Sequence, residues 1–290
     1  MNMVKCRPND MRGTSPGREK KECKTMKLFV SADIEGTTGI TLWDETTNGH
    51  PRYPYFQEQM TREVAAACQG AIDAGCDDIL IRDAHDSACN LIPSMLPEDA
   101  RVFRGWGSDI MGMMSGLEPD CDGVFFTGYH SGAGMDTNPL SHTSNTKNNY
   151  VRINDKLAPE LLINGFTAAY FGVPVRLVTG DKGLCDWMKA INPNVETVAV
   201  SEGRGRGSIS IHPNKAVRLI REAAARAVKK DAASCMFPLP EHFKVEISFK
   251  EHHRAKIASN YPGVAQTGVT TVVYEADDWM DVRRMMLFVL

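Results

Sequence analysis

Short runs of β-branched and apolar residues alternate along this chain with segments whose apolar residues recur at helical spacing. The runs at residues 28–34, 78–82, 123–127 and 175–179 have the length and composition of buried strands. Residues 56–74, between the first two runs, repeat apolar side chains at the spacing of one helix face. Strands that alternate with helices are typical of a mostly parallel sheet covered by helices. We therefore predict an α/β fold.

The rest of the chain continues this pattern in a less regular way. Residues 159–171 and 213–230 predict helices, and both segments have proline in the first turn. Residues 243–249 and 269–274 predict strands, and residues 277–289 predict a last helix. These last three segments predict a smaller C-terminal α+β lobe.

The predicted elements divide the chain into three parts. Residues 1–25 are polar and offer little to bury, so we expect a disordered extension, with Met26 as a candidate start of the folded chain. We place a soft boundary near Val200, which gives a metal-binding α/β catalytic domain at residues 26–200. Residues 201–290 would form the C-terminal lobe of the same catalytic unit.

Bulk composition excludes some partners and compartments. A net charge of −3 among 24% charged residues lacks the basic excess of a nucleic-acid binder, so we expect no nucleic-acid partner. The eight cysteines are scattered singly, without the tight framework of small secreted domains. No run has the apolar core of a signal peptide or the length of a membrane span. We therefore expect a cytoplasmic protein without a membrane partner.

The first predicted strand carries two carboxylates two residues apart, Asp33 and Glu35. Alternate residues of a strand point to the same side, so both side chains would face one point, where a cation would offset their repulsion. The alternative is that the two acids cap the next helix or pair with surface Lys and Arg. Because His85 and His130 follow the second and third predicted strands, and parallel strands end at one edge, we favour a metal site.

Two further residues complete the candidate site. Glu160 begins a predicted helix, where the helix dipole favours an acid even without a function. His142 lies in the loop after the His130 strand, where a histidine can also be simply solvated. Carboxylates mixed with imidazoles suit zinc, manganese or cobalt better than magnesium or calcium.

Other chemistry-bearing residues have weaker settings. Cys89 is the thiol closest in sequence to these residues, but no partner marks it as a nucleophile. Residues 203–208 are rich in Gly and Arg but lack the Gly-Lys-Ser/Thr of a phosphate-binding loop, so we expect a flexible basic loop at the rim of the site. We interpret the remaining histidines as structural or surface residues: His50, His212, His242, His252 and His253.

Taken together, these motifs resemble the zinc-dependent D-aminopeptidase family that is named for a dipeptide-transport operon product. The resemblance covers residue 26 to about residue 290. It rests on the S-x-D-x-E-G pattern at residues 31–36, the D-A-H at residues 83–85 and the G-Y-H at residues 128–130. Ser-His at residues 141–142 and Pro-Glu-Leu at residues 159–161 follow in the family's order.

This resemblance implies a site with two divalent metal ions, zinc first and manganese or cobalt as alternatives. Asp33 would bridge the ions, Glu35 and His130 would hold one, and His85 and Glu160 would hold the other. His142 resembles the family's catalytic residue. The resemblance also implies a ring-shaped homo-oligomer, a homodecamer, that encloses its active sites.

The predicted function is that of a metal-dependent aminopeptidase or amidase. It would use water activated by two metals to cleave short peptides or aminoacyl amides, with D-amino acids preferred. His142 could shuttle a proton, stabilise the oxyanion or attack the carbonyl itself. Two alternatives stay open: a metal-dependent phosphohydrolase, and a non-catalytic protein that binds a metal or a small molecule.

Overall fold

The computed structural model describes residues 26–290. The disordered extension predicted for residues 1–25 lies outside these described residues. The described chain combines a large, mostly parallel sheet with a smaller antiparallel sheet, and helices pack between and around them. The predicted α/β class is therefore confirmed.

The structure contains twelve strands and six α-helices within the described residues. In chain order the strands are β1 (Lys27–Ala32), β2 (Asp78–Asp83), β3 (Ala100–Phe103), β4 (Gly123–Tyr129), β5 (Asn148–Ile153), β6 (Lys156–Leu157), β7 (Val175–Asp181), β8 (Glu196–Arg204), β9 (Gly207–Ser210), β10 (Phe243–Phe249), β11 (Ala265–Gln266) and β12 (Thr271–Ala276). The helices are α1 (Tyr53–Asp73), α2 (Glu160–Tyr170), α3 (Lys182–Ile191), α4 (Pro213–Val228), α5 (His252–Ala258) and α6 (Trp279–Val289).

The large sheet has the strand order β3-β2-β1-β4-β7-β8-β9. Every neighbouring pair in it is parallel except β8 and β9, which form an antiparallel hairpin at the edge. The carboxyl ends of β1, β2, β4 and β7 consequently lie side by side at one edge of the sheet. In open α/β sheets this edge is where ligands bind.

Both faces of the large sheet are covered, as the near-continuous apolar runs predict. Leu28 and Val30 of β1 face a core that includes side chains of α1 and α4. Phe29, on the opposite side of the same strand, joins a core built with α2, α6 and the smaller sheet. The alternation of side chains along one strand thus holds two cores together.

The smaller sheet is antiparallel, in the order β11-β12-β10-β5-β6. It joins β5 and β6, which precede residue 200, to three strands that follow it. Strand β8 itself runs across Val200. Both sheets therefore contain strands from before and after residue 200. The domain boundary proposed near Val200 stays a prediction.

The elements predicted from periodicity are found, with ends that differ by a few residues. Helix α1 begins three residues earlier than predicted, and Pro159 caps α2 instead of lying inside its first turn. The flexible loop expected at residues 203–208 is instead part of the β8/β9 hairpin, because these residues pair across the turn. Within residues 26–290, no helix is both long and apolar enough to cross a bilayer.

Candidate metal centre

The chain turns sharply just after β1, and the turn presents two buried carboxylates. Strand β1 ends at Ala32, so Asp33 and Glu35 lie in the bend and not in the strand itself. The backbone N–H of Asp33 still donates to the Thr127 carbonyl at 2.8 Å, which ties the bend to β4. Both side chains are about 2% exposed. The two carboxylates therefore face one site, as predicted. The prediction assumed that the strand extends through both residues, whereas the strand ends at Ala32.

Gly36, the last residue of the motif, allows the bend to lie directly against β4. Its N–H donates to the Gly128 carbonyl at 2.8 Å. A Cβ atom at Gly36 would lie 1.8 Å from the Tyr129 carbonyl oxygen, which is far inside van der Waals contact. Only glycine fits there without moving the end of β4, and this is the physical reason for a glycine at position 36.

His85 is held by the turn that follows β2. The buried Asp83 carboxylate accepts N–H groups from Asn90 at 2.6 Å and Leu91 at 2.7 Å, and the Asn90 amide donates to the His85 carbonyl. The His85 Nδ1 atom lies 3.4 Å from Asp33 Oδ1 and 3.1 Å from a Glu35 oxygen. The loop thus brings His85 to the two acids of the first strand end.

His130 and Glu160 approach the same acids from the other side. His130, 1% exposed, places Nε2 at 3.4 Å from Asp33 Oδ2 and at 3.8 Å from Glu160 Oε2. Glu160 is the first residue of α2, and its other oxygen accepts the backbone N–H of Ser144 at 2.7 Å. Asp33 therefore turns one oxygen to His85 and the other to His130.

Each histidine of the site hydrogen-bonds a backbone carbonyl through one ring nitrogen. His85 Nε2 contacts the Thr46 carbonyl at 3.0 Å, and the Nδ1 atoms of His130 and His142 contact the carbonyls of Ser131 and Leu140 at 2.9 Å. A carbonyl only accepts, so these nitrogens must carry the proton. In a neutral ring the other nitrogen then presents its lone pair to the carboxylates, as in metal-binding histidines.

Three of these buried atoms have no hydrogen-bond partner within the described residues: Asp33 Oδ2, Glu35 Oε2 and His130 Nε2. An unpartnered buried polar atom is costly, and several of them around one point are rare in a stable fold. Divalent cations bound beside Asp33 would satisfy these atoms. The donor set of carboxylates and imidazoles fits zinc and similar transition metals.

The crowding of charge changes how these groups ionise without a cation. Burial and the neighbouring Glu35 carboxylate raise the pKa of Asp33 to about 8. Burial alone would lower the pKa of His130, but the Glu160 and Asp33 carboxylates raise it to about 9. The pKa of His85 likewise rises well above its usual value because Glu35 and Asp33 outweigh the effect of burial. In the metal-free protein, protons take the place of the cation.

His142 lies over this cluster and faces the solvent-accessible side. Its ring stacks on His130, with centroids 4.3 Å apart and an interplanar angle of 8°, and Trp43 packs edge-on against its ring at 5.2 Å. His142 Nε2 lies 3.7 Å from Glu160 Oε1. Burial and the adjacent His130 lower the pKa of His142. His142 is thus the imidazole of the cluster that stays neutral and can accept a proton.

Asp181, at the end of β7, positions the His130 turn from behind. It is fully buried and accepts the backbone N–H and the hydroxyl of Ser131, each at 2.7 Å, and the N–H of Leu184 at 2.9 Å. The Asn138 amide donates to it at 3.2 Å. The sequence analysis did not assign Asp181, although a fourth strand end with an acid was the available signal.

A cleft of about 550 Å³ opens over the cluster. Within the described residues, its walls include Asp33, Glu35, His85, His142 and Glu160, whereas His130 lies beneath the surface. Trp43, Trp106, Asn164 and Arg283 also line it, and no sequence signal singled these residues out. The residues that line the cleft do not include Cys89, the hairpin at residues 203–208 or the other five histidines.

All six residues proposed from the sequence are therefore brought together. Potential ligand atoms of Asp33, Glu35 and His85 lie within 4.8 Å of one another, and so do those of His130, His142 and Glu160. The implied pairs were Glu35 with His130 and His85 with Glu160. In the structure a Glu35 oxygen lies 3.1 Å from His85 Nδ1 and a Glu160 oxygen lies 3.8 Å from His130 Nε2, and Asp33 contacts both histidines.

The chain is similar over most of its length to known D-aminopeptidases. A family model described as D-aminopeptidase matches residues 26–288. The D-aminopeptidase of Bacillus subtilis (strain 168) is 32% identical over 267 residues, which cover 90% of this chain and 96% of the relative. A solved structure described as "Zn-dependent D-aminopeptidase DppA from Bacillus subtilis, a self-compartmentalizing protease" is similar with a TM-score of 0.84. It is 30% identical, and the match covers 90% of this chain and 96% of that chain.

Proposed function

This chain belongs to the D-aminopeptidase family, and from that membership we propose that it releases N-terminal D-amino acids from short peptides or aminoacyl amides. The resemblance seen in the sequence motifs is confirmed, and the chain is a metal-dependent aminopeptidase. The preference for D-amino acids is our proposal, and it is supported by the described activity of the relatives.

The observation that carries the proposal is the set of unpartnered buried atoms around Asp33. Asp33 Oδ2, Glu35 Oε2 and His130 Nε2 converge without hydrogen-bond partners in the described structure. Neither a purely structural network nor a solvated acid pair would leave these atoms unsatisfied. Cations bound beside Asp33 are the simplest arrangement that satisfies them.

We propose that two divalent ions bind and that Asp33 would help to hold both. Glu35 and His85 would hold the first ion, and His130 and Glu160 would hold the second. Zinc is supported as the metal by the zinc dependence stated for the similar solved structure. When bound, a pair of such ions lowers the pKa of a water molecule and polarises the scissile carbonyl.

His142 is proposed as the catalytic residue. Because Nδ1 donates to the Leu140 carbonyl, Nε2 of the neutral ring holds a lone pair and faces the cleft side of Glu160. This tautomer supports taking a proton from the attacking water and passing it to the leaving amine. It gives less support to a hydrogen bond donated to the oxyanion at the start of the reaction. Direct attack by Nε2 on the carbonyl is the alternative that this geometry also allows.

Exopeptidase behaviour follows from the charge of the cleft. Asp33, Glu35, Asp86 and Glu160 all line it. With metal ions bound, Asp33, Glu35 and Glu160 would serve as their ligands, so the amine of a peptide's first residue would bind to the ions or to the remaining acid, Asp86, whereas the middle of a longer chain carries no amine. The bond after the first residue would then lie beside His142.

We further propose a ring-shaped homodecamer that encloses the active sites, supported by the description of the similar solved structure as self-compartmentalizing. A cytoplasmic location is proposed as well. It is supported by the cysteines that are free in residues 26–290: Cys68, Cys76, Cys89, Cys121, Cys185 and Cys235.

The deciding experiment is a hydrolysis screen of D- and L-aminoacyl amides and dipeptides with zinc-reconstituted protein. We expect turnover of D-substrates and none by Asp33→Ala, which removes the shared ligand. A chromogenic phosphate ester in the same screen tests the phosphohydrolase alternative. Turnover of the ester without turnover of any amide would overturn the proposal, and metal binding without any turnover would favour the non-catalytic alternative.

A further inference from the structure

Arg283 is a cation in an otherwise acidic cleft. Among the described residues that line the cleft it is the only Lys or Arg, whereas four acids line the same space. It lies on α6, far along the chain from every residue of the metal cluster. The metal cluster at the strand ends therefore does not explain why Arg283 lines the cleft.

The guanidinium of Arg283 is oriented by backbone groups and not by an acid. Nε donates to the Ile110 carbonyl and Nη2 to the Met111 carbonyl, both at 3.0 Å, and Nη1 lies 4.0 Å from the Met286 sulfur. Within residues 26–290 its guanidinium makes no ion pair. These contacts use three of its five N–H groups, so about two stay available to a ligand.

A glycine beside Arg283 leaves its guanidinium open to a ligand in the cleft. Gly112, which also lines the cleft, is positioned so that a Cβ atom would lie 2.9 Å from Arg283 Nη2. Burial lowers the pKa of Arg283 to about 10, although the nearby Tyr129 and Asp109 act in the opposite direction. The guanidinium is nonetheless charged at neutral pH, and it is held partly desolvated. An anion that reached it would form strong, charge-assisted hydrogen bonds.

Arg283 is also joined to the metal cluster through one short segment. The carbonyls that hold it belong to Ile110 and Met111, and the Met113 carbonyl, two residues after Met111, accepts the Ser31 hydroxyl at 2.9 Å. Ser31 lies two residues before Asp33 in the chain. The cation and the cluster therefore occupy two walls of the same cleft, with their relative placement fixed by packing.

We propose that Arg283 is a specificity-determining residue that binds the C-terminal carboxylate of a short peptide substrate. A dipeptide carries a positive amine at one end and a negative carboxylate at the other, about 7 Å apart when extended. The cleft has a corresponding arrangement, because the metal cluster and the non-ligand acid Asp86 line one part of it and Arg283 lines another. This inference rests on the proposed peptidase function and narrows its substrate class to dipeptides with a free carboxylate.

The competing explanation is that Arg283 only ties α6 to residues 110–111. In that case its replacement would destabilise the protein and lower activity on every substrate to the same extent. A carboxylate-binding role instead predicts a loss that depends on the substrate's C-terminus. The ratio of kcat/KM for a substrate with a free C-terminal carboxylate to kcat/KM for one without it therefore separates the two roles.

The test compares D-alanyl-glycine with D-alanyl-glycinamide, which differ in the terminal charge. For the zinc-reconstituted wild type we expect kcat/KM to favour the free acid by about 10- to 100-fold. Arg283→Met should bring this ratio close to one, and Arg283→Lys should keep part of it, because the charge remains but the planar fork is lost. Arg284→Met is the matched control on the same helix, since Arg284 is exposed and pairs with Asp281. It should keep the wild-type ratio.

A binding measurement separates this inference from the proposed function. The same two compounds are titrated against chelated, metal-free protein, where no turnover can occur, and calorimetry gives their affinities. Tighter binding of the free acid by wild type, lost in Arg283→Met, supports the inference even if no amide is hydrolysed. Equal affinity and equal turnover of both compounds by wild type would overturn it, and so would an unchanged ratio in a folded Arg283→Met protein.

Discussion

The imidazole rings of His130 and His142 stack nearly parallel, with centroids 4.3 Å apart, yet only His142 lines the cleft. His130 lies beneath, 1% exposed, with Nε2 towards Asp33 and Glu160. Two adjacent histidines therefore have different environments. These environments are the basis for proposing His130 as a metal ligand and His142 as the catalytic residue.

The first prediction separates these two roles by substitution. His142→Ala should lower turnover about a hundredfold to ten-thousandfold, roughly 3 to 5 kcal/mol of barrier, because a positioned acid-base group is lost. Its metal content should stay near that of the wild type. His130→Ala should lose both metal and turnover. Elemental analysis and steady-state kinetics on both variants decide the matter. Loss of metal from His142→Ala would show that His142 is a ligand, which its distance to Glu160 also permits.

The second prediction concerns metal stoichiometry. We expect two zinc ions per chain after reconstitution, since the potential ligand atoms form two groups and Asp33 lies near a histidine of each, His85 and His130. Chelation should abolish turnover, and zinc should restore it. Asp33→Ala should lose both ions. Glu35→Ala should lose mainly the ion that Glu35 would hold with His85, and it should keep the ion held by His130 and Glu160. Elemental analysis of dialysed protein measures this. A content below about half an equivalent for the wild type would contradict the two-ion proposal.

The third prediction is that zinc binding releases protons at neutral pH. The pKa of His130 is about 9 and that of His85 is well above its usual value, so both rings are protonated in the metal-free protein. A metal binds only the neutral ring, and these protons must leave. Calorimetric titration in buffers of different ionisation enthalpy counts them. Binding without proton release near pH 7 would argue against these ligands.

The same pKa shifts predict how the stability of the metal-free protein depends on pH. The pKa of His130 is higher in the folded state than the usual value of about 6.5, so its contribution to stability is complete below that value. It is lost as pH rises through about 9. The melting temperature of chelated protein should therefore fall between pH 7 and pH 9.5. Zinc-loaded protein, in which no ring holds this proton, should show a smaller fall.

The fourth prediction tests Asp181 as a positioning residue. Asp181→Ala should cost about 3 to 5 kcal/mol of unfolding free energy, because buried donors of Ser131, Leu184 and Asn138 lose their acceptor. Metal affinity should also fall, since the turn that carries His130 is no longer held. Urea unfolding and zinc titration measure the two effects. Asp186→Ala is the control, as this exposed acid of α3 pairs only with Lys182 in the described structure. Equal behaviour of the two variants would contradict the assignment.

The fifth prediction is that removal of residues 1–25 leaves melting temperature, metal content and turnover essentially unchanged. That segment carries neither the apolar residues of a core nor any residue of the candidate site. The family match likewise begins at residue 26. Differential scanning calorimetry and kinetics of the shortened protein provide the comparison. A marked fall in turnover would mean that the segment contributes to the site.

Much of the site could be predicted because its residues follow strands that sequence patterns reveal. Apolar runs before Asp33, His85 and His130 indicated parallel strands, and parallel strands of one sheet end at the same edge. Chemistry and fold were thus encoded in the same short segments. Glu160 and His142 needed the family's motif order as well, because a helix start and a loop do not by themselves bring residues to that edge.

What only the tertiary structure decided depends on contacts between segments that are distant in the chain. The sharing of Asp33 between His85 and His130 follows from two turns that β2 and β4 place on either side of it. Arg283 reaches the cleft because α6 packs beside residues 110–111, and no local pattern records that packing. Periodicity reports which face of a segment is buried, whereas the partner it is buried against is settled by the packing of the whole chain.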